Sequence, residues 1–392
     1  MSAFTRRTVI AGAAVAGIAA LALAGCSSTT SPTTGPSSAA SYKIAFEGPI
    51  TGDSASDGAY QRAGIELALA DYKAKYPSGP TVTVAYEDSQ GDPTVATPIA
   101  TKVAADATIL GLVGPSYSGE SKATAPAYTE AGLVTVSPSA TNDTLTSNGW
   151  TSFHRIVAAD QYQAQAAVNL LTKTDASTQV FVIDDSSDYG KGLGGNIVKD
   201  LGSSLVGQDE IDGSATGSTD YSTTVTKVKS SGATSVYFAG YGKQAGLLVK
   251  QLKDGGYTGV FATGDGSYAK ELIDNGGSAA EGVQLTFPGG APSADFATKW
   301  NALTDAEGGD KGQLGAYSEE AYDAATILLT GIGEGKTTRA DLLAFVNSYD
   351  ADGLTKHIKF AANGDLDSAD LVYQELTVTS GAFTTVGPIS LN

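Results

Sequence analysis

His154 and His357 are the two histidines of the chain, and a Ser-His-Asp nucleophile would need one of them beside a serine. No Gly-x-Ser-x-Gly elbow occurs in the sequence, and His154 stands in Phe153-His154-Arg155-Ile156, the pattern of a strand or crossover. With one Cys in 392 residues, neither an internal disulfide nor a Cys/His zinc site can be assembled, so a metal would need oxygen ligands. Gly190, Gly192 and Gly195 form a Gly-x-Gly-x-x-Gly string that opens a helix. Five residues, Asp185 to Tyr189, separate that string from its strand and remove the tight turn a pyrophosphate requires. The pairs Asp184-Asp185 and Glu319-Glu320 read as solvated loop or helix faces rather than acid/base pairs. The sequence therefore predicts no enzyme, no metal and no cofactor.

Binding is better served. A free amino acid carries a carboxylate and an ammonium on one carbon, so its site needs hydroxyls and backbone N–H groups on one side and a carboxylate with carbonyls on the other. Ser118 opens a helix, where its hydroxyl and the exposed N–H groups favour an anion, or where it serves as a simple N-cap. Asp265, between Gly264 and Gly266, is a counter-charge or a turn residue. Tyr189 and Tyr241, taken singly, are ordinary loop aromatics.

The elements that carry these residues alternate. Apolar or β-branched runs at Tyr42–Phe46, Thr81–Tyr86, Ile109–Val113, Leu133–Ser137, Val180–Asp184, Ser235–Ala239 and Gly259–Thr263 predict buried strands. Between them lie segments of helical spacing: Ala59–Lys75, Pro93–Ala107, Ser121–Ala131, Gln161–Thr172 and Lys243–Lys253. Such alternation predicts an α/β fold of parallel sheets with helices on both faces, with Gly, Ser and Asp clustered at the strand ends where ligands of open sheets bind. Pro98 predicts a late start or a kink in the second helix.

Hydrophobic residues at 41% supply a core, and a charge of −18 repels nucleic acid and anionic surfaces. Arg6 and Arg7 precede an apolar stretch from Val9 to Ala24, the layout of an export signal too short to span a bilayer. Thr5 to Ile10 resembles a twin-arginine signal, so the export route is Sec or twin-arginine. Leu23-Ala24-Gly25-Cys26 resembles the lipobox of bacterial lipoproteins, in which the Cys is lipidated. Removal of residues 1–25 takes two of the 24 Lys and Arg and none of the 42 Asp and Glu, deepening the charge to −20. Residues 26–41 are a Ser/Thr/Pro-rich tether.

From Tyr42 onward, over about 350 residues, the chain resembles the branched-chain amino-acid-binding proteins, the receptors of ABC amino-acid importers with the type I periplasmic binding fold. The likeness rests on Gly48-Pro49-Ile50-Thr51-Gly52, Gly114-Pro115-Ser116-Tyr117-Ser118 and Ser137-Pro138-Ser139-Ala140-Thr141. It continues through Phe153-His154-Arg155, Asp188-Tyr189-Gly190-Lys191-Gly192, Ala239-Gly240-Tyr241 and Gly264-Asp265-Gly266. It implies two lobes joined by a three-strand hinge: 42–157 with about 286–360, and 158–285 with about 361–392. It implies that the Ser118 hydroxyl and the Thr141 N–H hold a ligand carboxylate. The Ser139 carbonyl and the Thr141 hydroxyl would face the ammonium, with Asp265 as its counter-charge. Tyr241 would bond the carboxylate and Tyr189 would lie against the ligand side chain. An amino acid would drive closure, and the partners would be ABC permease subunits and, through Cys26, the outer face of the cytoplasmic membrane; a monomer is expected. The alternatives are a receptor for an amide, urea or aromatic acid, or a sensing module. Two departures bear on the ligand: Asp265 stands where the best-known amino-acid binders have glutamate, and Asp57 where they have an aromatic or apolar group.

Overall fold

A computed structural model describes residues 40–172, 177–214, 216–289, 294–302, 315–367 and 371–391. The leader, Cys26 and nearly all of the tether lie outside these residues. No helix of the described residues is long and apolar enough to cross a membrane.

The first half runs β1 (Ser41–Gly48), α1 (Ala55–Lys75), β2 (Thr81–Asp88), α2 (Pro93–Ala105), β3 (Ile109–Val113), α3 (Ser118–Glu130), β4 (Val134–Ser137) and β5 (Phe153–Arg155). It forms a parallel sheet of order β2-β1-β3-β4-β5. The chain then crosses to α4 (Asp160–Thr172), β6 (Val180–Asp184), α5 (Asp188–Leu201), β7 (Leu205–Glu210), α6 (Ser222–Ser231), β8 (Ser235–Ala239), α7 (Gly242–Asp254), β9 (Val260–Thr263), α8 (Lys270–Gly276) and β10 (Gln284–Phe287). It returns as α9 (Ala294–Ala302), α10 (Ser318–Gly333), α11 (Arg339–Asn347) and the small hairpin of β11 (Asp350–Asp352) and β12 (His357–Lys359). It ends in β13 (Tyr373–Thr379) and β14 (Ala382–Ile389), which join the second sheet, of order β14-β13-β10-β9-β8-β6-β7. The expected two-lobed α/β architecture holds, with one difference. The second sheet is not wholly parallel, because β13 pairs antiparallel to β10 and β14 antiparallel to β13.

The apolar runs are continuous because both faces of each central strand are buried. In β6, Phe181 and Ile183 join Val236, Phe238 and Leu248 on one face, while Val180 and Val182 join Tyr237, Leu193 and Ile197 on the other. Each such side chain contributes about 1.5–3 kcal/mol by leaving water. In the first sheet, Ile44 and Phe46 pack with Ile65, Leu328 and Leu342, and Ala45 and Leu112 pack with Tyr128 and Leu133 on the opposite face. Helix α2 starts at Pro93 and runs through Pro98 to Ala105, correcting the expected late start. Asp92 caps it by accepting the Thr94 N–H at 2.7 Å.

Candidate functional site

The loops at the C-terminal ends of the strands meet between the lobes. They are held in place by main-chain carbonyls and short side chains. Arg155 is fully buried. Its Nε donates to Asp365 Oδ1 at 2.6 Å and its Nη1 to the carbonyl of Asn142 at 2.8 Å and, more weakly, of Ala140 at 3.4 Å. These bonds bracket Thr141 and fix the loop after β4. A second relay ties that loop to its neighbours. Ser116 Oγ donates to Gln61 Oε1 at 2.8 Å, Gln61 Nε2 donates to Ser139 Oγ at 3.3 Å, and Ser139 Oγ donates to the Ser116 carbonyl at 2.6 Å.

Asp57, Gln61, Tyr117, Ser118, Ser139, Tyr189, Tyr241, Asp265, Gly266, Ala316 and Tyr317 line one interlobe cavity of about 20 Å³. That is the room of a single water, so an amino acid enters only when the walls separate. Tyr117 and Tyr241 also border an outer cleft of about 410 Å³ that reaches the surface. Their rings pack across the gap with centroids 4.6 Å apart, and Tyr189 lies 5.4 Å from Tyr241.

Six of the seven ligand-binding residues expected from the sequence line this cavity: Asp57, Ser118, Ser139, Tyr189, Tyr241 and Asp265. Thr141 is buried and is not part of that lining, its carbonyl taking the Asp160 N–H at 2.9 Å and its side chain acting on the Asp160 carboxylate. Ser118 is the first residue of α3, and the N-cap is Tyr117, which removes the simple N-cap alternative. Its Oγ accepts the Asn142 N–H at 3.2 Å. Asp265 sits in a short 3₁₀ turn and is 4% exposed. Tyr189 Oη donates to its Oδ1 at 2.9 Å and Tyr317 Oη to its Oδ2. Burial pushes its pKa up, against these hydroxyls, which pull it down.

Asp57 is 8% exposed in the first turn of α1. Tyr117 Oη donates to its Oδ2 at 2.5 Å, whereas Oδ1 is buried with no partner. Burial pushes its pKa up to about 7, with Glu271 and Asp265 adding repulsion. Asp160 was missed by sequence reasoning: it is fully buried at the start of α4, and burial holds its pKa well above the usual range, with the Thr141 side chain pulling it down. Tyr317 was missed too. It holds φ +65°, a left-handed backbone unusual for a bulky residue, and so sends its hydroxyl to Asp265. No local signal announces either residue.

The remaining chemical candidates are structural. His154 Nε2 meets Asn347 Oδ1 at 2.8 Å in the core, and His357 lies between Asp350 and Asp352. A Cβ on Gly190 would stand 2.2 Å from Asp185 Oδ1, and one on Gly192 2.4 Å from Asn142 Nδ2, so close packing explains the first two glycines of the string, while Gly195 faces open space. The paired carboxylates depart from expectation: Asp185, Glu319 and Glu320 are buried rather than solvated. Burial raises Asp185 to about 6. Among the described residues, no group of three or more His, Cys, Asp or Glu converges as a metal site.

The sequence profile of the family described as "Periplasmic binding protein" matches residues 41–376. The leucine-, isoleucine-, valine-, threonine- and alanine-binding protein of Pseudomonas aeruginosa is 28% identical over 362 residues, 91% of this chain and 94% of that protein. The Leu/Ile/Val-binding protein homolog 1 of Brucella abortus is 30% identical over 326 residues, 82% of this chain and 83% of that protein. A leucine-binding protein from Thermotoga maritima superposes with a TM-score of 0.78 at 25% identity, covering 89% of this chain and 99% of that one. With the site's layout and these likenesses together, the chain belongs to the periplasmic binding protein family, among relatives named for branched-chain amino acids.

Proposed function

We propose that the chain is the extracytoplasmic, lipid-anchored receptor of an ABC importer, which closes its two lobes on an amino acid, branched-chain or related. One observation carries the reading. Ser118 and Ser139 of the first lobe and Asp265 of the second line a single cavity, so neither lobe alone offers both a hydroxyl set for a carboxylate and a counter-charge for an ammonium. Ser118 Oγ already accepts the Asn142 N–H, which leaves its proton to donate to the ligand. Each charged hydrogen bond contributes about 1.5–3 kcal/mol once water is excluded.

Cross-lobe contacts support closure as the readable state. Lys122 pairs with Asp188 at 2.6 Å, Lys243 with Asp53 at 2.6 Å, and Ser56 Oγ donates to Glu271 at 2.6 Å. In this reading the lobes are 42–157 with about 286–360, and 158–285 with about 361–392. The first sheet ends at Arg155, and β13 and β14 belong to the second. Export by the leader, lipidation of Cys26, delivery to permease subunits and a monomeric state complete the proposal. The relatives do not favour a receptor for amides, urea or aromatic acids, nor a sensing module.

Thermal-shift measurement on the full chain in detergent tests the reading. A bound amino acid at 100 times its dissociation constant adds about 2.7 kcal/mol. A chain stabilised by urea, amides or benzoate and by no amino acid would refute it.

A further inference from the structure

The cavity has a charge surplus that an aliphatic amino acid leaves unanswered. Its walls hold two buried carboxylates, Asp57 and Asp265, and, among the described residues, no Lys, Arg or His. Asp265 has a hydroxyl on each oxygen and the position to meet an α-ammonium. Asp57 does not share that arrangement. Asp57 lines the cavity, and its Oδ1 is buried and accepts nothing among the described residues, so the group carries an unmet demand for a donor. An acid in the first turn of a helix often serves the helix itself, by accepting its N–H groups. Here the carboxylate makes a single hydrogen bond, to the phenol of Tyr117 on another loop.

The outer cleft extends the same bias. Asp53, Asp92, Glu120, Asp185, Asp188 and Asp212 border it, with Lys243 as the one basic lining residue among the described residues. Lys243 is already paired with Asp53, and the nearby Lys122 with Asp188. A low-dielectric cleft lined by one sign of charge draws in ligands of the other. A buried carboxylate beside an aliphatic side chain would remain unpaired, which is costly, whereas a ligand cation would answer it.

We propose that Asp57 is the specificity-determining residue of the cavity and that the ligand is an amino acid with a cationic side chain, of the diamino or guanidino class, its α-ammonium on Asp265 and its side-chain cation on Asp57. The inference rests on the amino-acid receptor reading above and narrows its ligand.

Calorimetry on the full chain in detergent, with L-lysine, L-ornithine, L-arginine, L-leucine and L-isoleucine as titrants, decides it. The expected result is that at least one cationic amino acid binds about tenfold or more tightly than leucine, a gap that Asp57→Asn closes without lowering the melting temperature. Leucine or isoleucine binding more tightly than all three cationic ligands overturns the inference alone. So does an unchanged ranking in Asp57→Asn. Binding of none of the five overturns the inference together with the reading beneath it.

Discussion

Asp265 and Asp57 are both buried carboxylates in the wall of one cavity, yet the protein treats them differently. Asp265 takes hydroxyls from Tyr189 and Tyr317 on its two oxygens and is set in a turn whose flanking glycines allow the Tyr189 ring to close over it. A Cβ on Gly264 would stand 2.4 Å from Tyr189 Oη, and one on Gly266 2.7 Å from its ring. Asp57 has one phenol and one bare oxygen. The first arrangement suits a group that every amino acid carries in the same place; the second leaves a demand that only some side chains meet. A preorganised carboxylate secures affinity, and an underserved one secures discrimination.

The comparison can be broken by substitution. Asp265→Ala should cost about 2–5 kcal/mol of binding, as the loss of one partner of a buried charge pair does, and calorimetry showing undiminished affinity would remove its role. Tyr317→Phe takes one hydroxyl from Asp265 and should weaken binding by about 1.5–3 kcal/mol, with Asp265 still present to show that orientation was lost. Asp57→Asn should stabilise the protein in the absence of ligand by about 1–3 kcal/mol near pH 8, since it replaces an ionised, half-satisfied buried group. The sign follows from linkage. The folded protein raises Asp57 to about 7, so its ionisation penalises the fold increasingly as pH climbs from the ordinary carboxylate range through 7. The gain in melting temperature from Asp57→Asn should be greatest above pH 7 and vanish near pH 4, and a gain independent of pH would contradict the assignment. Lys243→Ala, which removes a partly exposed cross-lobe ion pair, should change stability by less than about 1 kcal/mol and matter less still at high salt.

Much of this was readable along the chain. The continuous apolar runs of β1, β3, β6 and β8 lie within a few residues of where the sequence placed them, because a strand buried on both faces has no polar alternation to obscure it. The hydroxyl- and glycine-rich loops held four of the cavity residues, Ser118, Ser139, Tyr189 and Asp265, and the family resemblance added Tyr241 and Asp57. The hairpin of β13 and β14 reversed the expected parallel order, since pairing direction depends on which edge a late segment reaches.

What the sequence by itself determined was the set of elements and the loops carrying the chemistry, for both are written in spacing and local propensity. Only the tertiary structure decided that Tyr317, fifty-two positions beyond Asp265, supplies its second hydroxyl. It also decided that Tyr117 is the one partner of Asp57, and that Asp185, Glu319 and Glu320 are buried. Burial and partnership at such separations follow from how distant segments pack, within a lobe and between lobes, and no residue carries that in its neighbours along the chain.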